Sequence, residues 1–346
     1  MYISVKSLRE KLQKACFAAL CGISLLFVPI LLYAQDGVAQ NALTIAVSPA
    51  YPRTNDAVTL SLSSFASDLN TADIAWFING TRVRSGKGAV KLETETGNPG
   101  TRLAVRVTVR TADGQLFEQE ASVRPADVDV YWSAQTYTPP FYKGRALPTP
   151  GSSVKITAMP QFFSSPTNAL DSASLVYAWG KDRQALGQFS GRGKQSIVIE
   201  SPNPGEAVTV AVTVTSGAEW GAYREIALAS VEPEIIFYER RPSEGIRYEH
   251  GLRGSTTLEE KEITVRAEPY FFSTEDMIGN NLTFNWFMND APLEKQRGER
   301  ELTFTQEEGS EGIAKLSLRV ENLGKLLQEA YETLFITFGG SRIFGL

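Results

Sequence analysis

The run "SGRGKQ" (190–195) places Gly193-Lys194 in a glycine-rich, basic setting, the residue types that cradle phosphate. A phosphate loop needs a first glycine five positions earlier, a hydroxyl residue after the lysine, and a helix behind it. Here Gln188 and Gln195 occupy those two positions, and a strand-like run follows. The related "SGKG" (85–88) and "QRGER" (296–300) also lie between strand-like runs, so all three read as hairpin turns. His250 is the only histidine, in "YEHGL", with no nucleophile motif and no counterpart in the aligned repeat, so it reads as a surface residue. Calcium would need clustered oxygen ligands. Only "DVD" (127–129) and "DLNTAD" (68–73) come near, and neither is a dense acidic loop, so no cofactor or metal site is expected. "LPTPG" (147–151) has the wrong order for a sortase signal, and "NGT" (79–81) and "NLT" (281–283) read as turns. No catalytic constellation emerges and no enzyme is expected.

The residues best suited to binding are aromatic. "YWSAQTYTPPFYKGR" (131–145) holds Trp132, Tyr137, Phe141 and Tyr142 beside a Pro-Pro that favours extended backbone, and "EWGAYRE" adds Trp220 and Tyr223. Exposed, these six form a candidate interaction surface for a partner protein or a sugar. Buried, they would seal a contact between neighbouring domains, which the aligned Phe237, Tyr238 and Tyr248 favour.

The elements that must carry them recur. Trp76, Trp179 and Trp286 each precede a turn former, then an aliphatic residue (Val83, Leu186, Leu293) and a glycine at +12 (Gly88, Gly191, Gly298). "GNPG" (97–100), "PNPG" (202–205) and "GSEG" (309–312) introduce the alternating runs "LAVRVTV" (103–109), "VTVAVTV" (208–214) and "AKLSLRV" (314–320). Upstream stand "VTLSLSSF" (58–65), "VKITAMPQFF" (154–163) and "EITVRAEPYFF" (262–272). Alternation of period two, broken by Gly, Pro and Asn, predicts antiparallel strands with one buried face. About seven short strands per repeat predict a β-sandwich with each tryptophan between its sheets. The second and third repeats are the more alike: 130–147 aligns with 236–252, and "AMPQFF" (158–163) with "AEPYFF" (267–272).

This strand–Trp–turn–strand–Gly–"NPG" pattern resembles bacterial immunoglobulin-like domains, PKD-like ones in particular. It departs from their "W-x-F-G-D-G" centre, having "WFINGT", "WGKDRQ" and "WFMNDA". The resemblance implies extracellular display, spacing or adhesion and supplies no catalytic residues.

Residues 1–34 combine Lys6, Arg9, Lys11 and Lys14 with the uncharged run Ala15–Ala34, which predicts an export helix over 15–34, either a cleaved signal peptide or an uncleaved anchor. The remaining chain has 30 basic and 38 acidic residues, a net −8, against non-specific nucleic-acid binding. Both cysteines, Cys16 and Cys21, lie in the apolar run, so no disulfide is expected beyond it. The expected organisation is an export segment (1–40) and three all-β sandwiches (41–126, 127–232, 233–346), the last ending in a short apolar tail. Short proline-marked junctions, "VRPADVD" (123–129) and "VEPEII" (231–236), favour a stiff rod. The expected role is structural or adhesive, in a cell-envelope or surface assembly; a carbohydrate-binding protein using exposed aromatics is the alternative. Envelope proteins, glycans and, through 15–34, a membrane are the expected partners.

Overall fold

The computed structural model describes residues 43–217, 220–258, 261–307 and 309–339. The predicted export helix and the last residues of the C-terminal tail lie outside them. Among the described residues, no helix is long and apolar enough to cross a membrane.

The alternating runs are strands, and the sheets fall into three pairs. In the first repeat, β1 (Leu43–Ser48), β2 (Ala57–Ser64), β3 (Asp73–Ile78), β4 (Thr81–Lys87), β5 (Lys91–Glu95), β6 (Leu103–Arg110) and β7 (Leu116–Val123) form two sheets, ordered β1-β2-β5 and β4-β3-β6-β7. In the second, β8 (Asp127–Ala134) and β9 (Ser153–Gln161) are followed by the small hairpin of β10 (Phe163–Ser165) and β11 (Asn168–Ala169). Then come β12 (Val176–Lys181), β13 (Gln184–Ala185), β14 (Gly191–Arg192), β15 (Ser196–Glu200), β16 (Ala207–Thr215) and β17 (Gly221–Ala229). Its sheets are β15-β9-β8 and β13-β12-β16-β17, with β14 also on β12. The third contains β18 (Glu234–Arg241), β19 (Gly245–Leu252), β20 (Gly254–Thr257), β21 (Glu262–Tyr270) and β22 (Leu282–Met288). It continues with β23 (Ala291–Pro292), β24 (Glu301–Thr305), β25 (Gly312–Asn322) and β26 (Glu329–Phe338). Its sheets are β19-β18-β21-β24 and β20-β26-β25-β22-β23. All pairings are antiparallel except β20 with β26.

Each sheet pair encloses its own apolar cluster, because alternate residues of its strands point inward. Along β16, Val208, Val210, Val212 and Val214 are buried while the intervening residues are not. Trp76, Trp179 and Trp286 lie at the centres, no more than 2% exposed. A buried indole N–H needs an acceptor. Trp76 Nε1 donates to the Ala89 carbonyl (2.7 Å), Trp179 Nε1 to Lys194 (2.8 Å) and Trp286 Nε1 to Glu299 (2.8 Å).

Those acceptors mark a difference from the sequence reading. "SGKG" and its relatives do not close hairpins. They lie where the chain leaves one sheet for the other: the amides of Leu62, Ala158 and Ala267 receive it by donating to the carbonyls of Val90, Gln195 and Arg300. The hairpin turn of the first repeat is Asn79-Gly80, between β3 and β4. Gly88, Gly193 and Gly298 make the crossing at φ of +63°, +70° and +88°. In the second repeat the equivalent glycine is therefore Gly193, not Gly191, which lies in β14. A two-residue insertion between tryptophan and crossing displaces it.

The repeats meet at short junctions. Between the first and second, Arg53 Nε pairs with Asp127 (2.6 Å), the Arg124 guanidinium lies over the Trp220 ring, and the Gly100 turn abuts Ser165-Pro166.

Candidate functional site

The aligned segments of the second and third repeats fold differently, and that difference builds a site. In the third repeat the chain turns after β18 and returns as β19 on the same sheet. In the second, the chain leaving β8 does not fold back. Residues 135–152 cross to the third repeat instead. Tyr137 N–H donates to the Phe272 carbonyl and accepts at its own carbonyl from Phe271 N–H, both at 2.8 Å; Thr274 N–H donates to Gln135 (3.1 Å). Thr149 Oγ1 donates to the Phe271 carbonyl (2.7 Å).

Two buried polar groups hold this strap. Glu268 has no exposed surface; it receives the Tyr137 hydroxyl (2.7 Å) from the second repeat, and the Tyr248 hydroxyl (3.2 Å) and Arg266 Nε (3.0 Å) from the third. Burial, then the Glu268 charge, pushes the Tyr248 phenol up to about 12; burial and the bond to Glu268 raise Tyr137 in the same direction. Gln328, equally buried, donates to Thr149 Oγ1 (3.1 Å) and the Pro150 carbonyl (2.9 Å), and accepts from Ser273 N–H and Asn322 Nδ2. Next to it, Asp276 meets Lys325 Nζ at 2.5 Å. Burial works against that carboxylate's charge, but bonds from Asn322, Lys325 and Asn281 outweigh it and hold the carboxyl well below its usual range.

Strap and third repeat together enclose a half-open groove of about 690 Å³, within the ~300–1,000 Å³ of small-ligand sites. Its floor is Ile236, Tyr238 and Tyr270, with the two phenol oxygens 2.5 Å apart. Phe141 and Tyr142 from the strap and Tyr248 from β19 form its walls. Tyr142 packs edge-on against Tyr270 (ring centroids 5.5 Å), and Phe141 lies tilted 6.4 Å from Tyr248. Pro140, Lys143, Glu234, Glu249 and Arg253 complete the lining. Phe141 is 87% exposed and adopts a φ of +66°. A bulky residue there is strained by ~1–3 kcal/mol, and such outliers concentrate at ligand sites.

Of the six aromatics singled out in the sequence, the structure brings Tyr137, Phe141 and Tyr142 to this junction, with Tyr137 spent on holding it. Trp132 lies apart on β8 under the Arg145 guanidinium (4.4 Å). Tyr223 is exposed on β17 and bonds Glu225. Trp220 takes the buried alternative: it is 9% exposed, packs on Phe162 (5.2 Å) in the second core and lies under Arg124 at the junction with the first repeat. Tyr270, Glu268 and Gln328 escaped the sequence reading. The available signal was "AEPYFF" against "AMPQFF", which sets Glu268 and Tyr270 opposite Met159 and Gln161. Elsewhere, His250 is exposed on β19, Asp127 is taken by Arg53, and Asp129 by Gln161.

No protein-family model and no curated protein matches the chain. Among solved structures, the three N-terminal domains of the bacteriophage RB49 outer capsid protein Hoc align at 12% identity over 86% of this chain and 99% of that one, TM-score 0.27. Fibronectin(III)-like modules of Clostridium thermocellum CbhA align at 15% over 54% and 94%, TM-score 0.27. Sidekick-1 immunoglobulin domains 1–5 align at 12% over 86% and 59%, TM-score 0.26. Matches this distant carry no argument about function. The fold rests on the chain's own sheets: paired antiparallel layers, each pair closed over a buried tryptophan, are immunoglobulin-like β-sandwich repeats.

Proposed function

We propose that this chain is a non-enzymatic array of three tandem immunoglobulin/PKD-like domains (41–126, 127–232, 233–346), delivered outside the cytoplasm by residues 1–40. It serves there as a structural or adhesive element of a cell-envelope assembly. Its adhesive surface is the aromatic groove between the second and third domains. The observation that carries this reading is Phe141, held in a strained backbone conformation with its ring exposed at the groove. Its ring lies beside Tyr248 but is otherwise open to solvent, and a ligand would cover it.

The test compares the full-length chain with Phe141→Gly for retention on isolated bacterial envelopes. Glycine relieves the positive φ, so the variant gains about 1 kcal/mol of stability toward denaturant, while retention falls about tenfold. Equal retention by both proteins removes the groove from the reading. Export is tested by protease added to intact cells: a chain whose residues beyond 40 stay protected is not displayed outside.

A further inference from the structure

We propose that the ligand of this groove is a neutral oligosaccharide, its sugar faces stacked on Phe141 and Tyr142 and its hydroxyls bonded to the charged side chains around them. This rests on the reading of the groove as the adhesive surface and names its ligand class.

Three features of the lining select that class. First, the phenol oxygens of the floor and of one wall bond within the protein: Tyr238 with Tyr270, and Tyr248 to Glu268. That leaves the floor one O–H not used within the Tyr238–Tyr270 pair, and what these rings otherwise offer a ligand is carbon surface. A sugar's apolar C–H faces fit such surface, with aromatic ring contacts fixing orientation. Second, the charges around the groove cancel. Lys143 and Arg253 balance Glu234 and Glu249, with Arg253 3.9 Å from Glu234 and Glu249 3.0 Å from Arg247. A cationic or anionic ligand would meet one like charge for each unlike one. An uncharged polyol uses both signs, accepting from Lys143 and Arg253 and donating to the carboxylates. Third, the wall rings Phe141 and Tyr142 come from the strap and the floor from the third repeat, so the sugar site exists only while the two repeats are docked.

The probe is affinity electrophoresis of the full-length chain through gels containing soluble neutral polysaccharides (hydroxyethylcellulose, xylan, galactomannan, amylopectin), with polygalacturonate as the anionic comparison. At least one neutral polymer retards the wild type, and the apparent affinity falls about tenfold in both Phe141→Ala and Tyr142→Ala. Tyr223→Ala, an exposed tyrosine away from the groove, migrates as wild type. Both wall residues are surface positions, and unchanged circular dichroism verifies that the variants fold. No retardation in any neutral gel, retardation by polygalacturonate alone, or retardation that survives both wall variants overturns the proposal. Envelope retention that depends on Phe141 without any neutral-polymer retardation would exclude the sugar while leaving the groove as the adhesive surface.

Discussion

Glu268 sits at the meeting point of two repeats with no exposed surface, and its neighbours supply its partners: two phenols and the Arg266 guanidinium. Burial, and then the bond and charge of Glu268, raise both phenols above the ordinary value of 10.0. A group whose pKa is raised by folding stabilises the folded form fully below its unfolded value, and that contribution is lost as pH rises through the folded one. The strap's bond from Tyr137 to Glu268 therefore contributes fully up to about pH 10 and is lost only as the pH climbs well above that; Tyr248, which ionises toward 12, adds a second charge beside Glu268 in the same window. Limited proteolysis of residues 135–150 alongside a tyrosinate absorbance titration checks this; cleavage that is flat through the window contradicts it. At this scale the sequence was partly readable. Phe141 and Tyr142 stood out as a cluster, but the strain at Phe141 depends on a φ imposed by the docked strap.

At the scale of elements, the recurring unit is the crossing from one sheet to the other, bonded to the core tryptophan by its indole N–H. Gly193 shows why the crossing tolerates little. Its φ is +70°, and an added Cβ would sit 3.2 Å from the Ala173 carbonyl oxygen. Gly193→Ala should cost about 1 kcal/mol or more in chemical denaturation. Gly187→Ala, with nothing within 4 Å of the added carbon and no positive φ, should stay within about 0.5 kcal/mol of wild type. Equal effects would mean that the crossing is not conformationally demanding. Tryptophan and glycine were visible as a spacing. The spacing points to Gly191 in the second repeat because counting from the tryptophan cannot see that two extra residues enter before the crossing at Gly193.

At the scale of the whole described molecule, the second and third repeats share a buried polar joint. Gln328 alone makes hydrogen bonds to Thr149, Pro150, Ser273 and Asn322. Gln328→Ala leaves several of these groups buried without partners, at about 1–3 kcal/mol each for those that water cannot reach. Scanning calorimetry should show the two repeats melting together in the wild type and as separate transitions in the variant. Two separate transitions already in the wild type would show that the joint does not couple them.

Strand pattern, repeat and buried tryptophan were determined by the sequence itself, because period-two alternation and turn-forming residues act over a few neighbours and need no knowledge of the rest of the chain. The groove was decided only by tertiary structure. Tyr137 and Glu268 stand 131 positions apart, and two segments that align in sequence take opposite paths, one returning to its own sheet as β19 and the other crossing to the next repeat. The aligned pattern does not encode that choice. It follows from which buried partners each segment finds, and Glu268, Gln328 and the backbone of Phe271, Phe272 and Thr274 offer the strap of the second repeat hydrogen bonds that its own sheet does not.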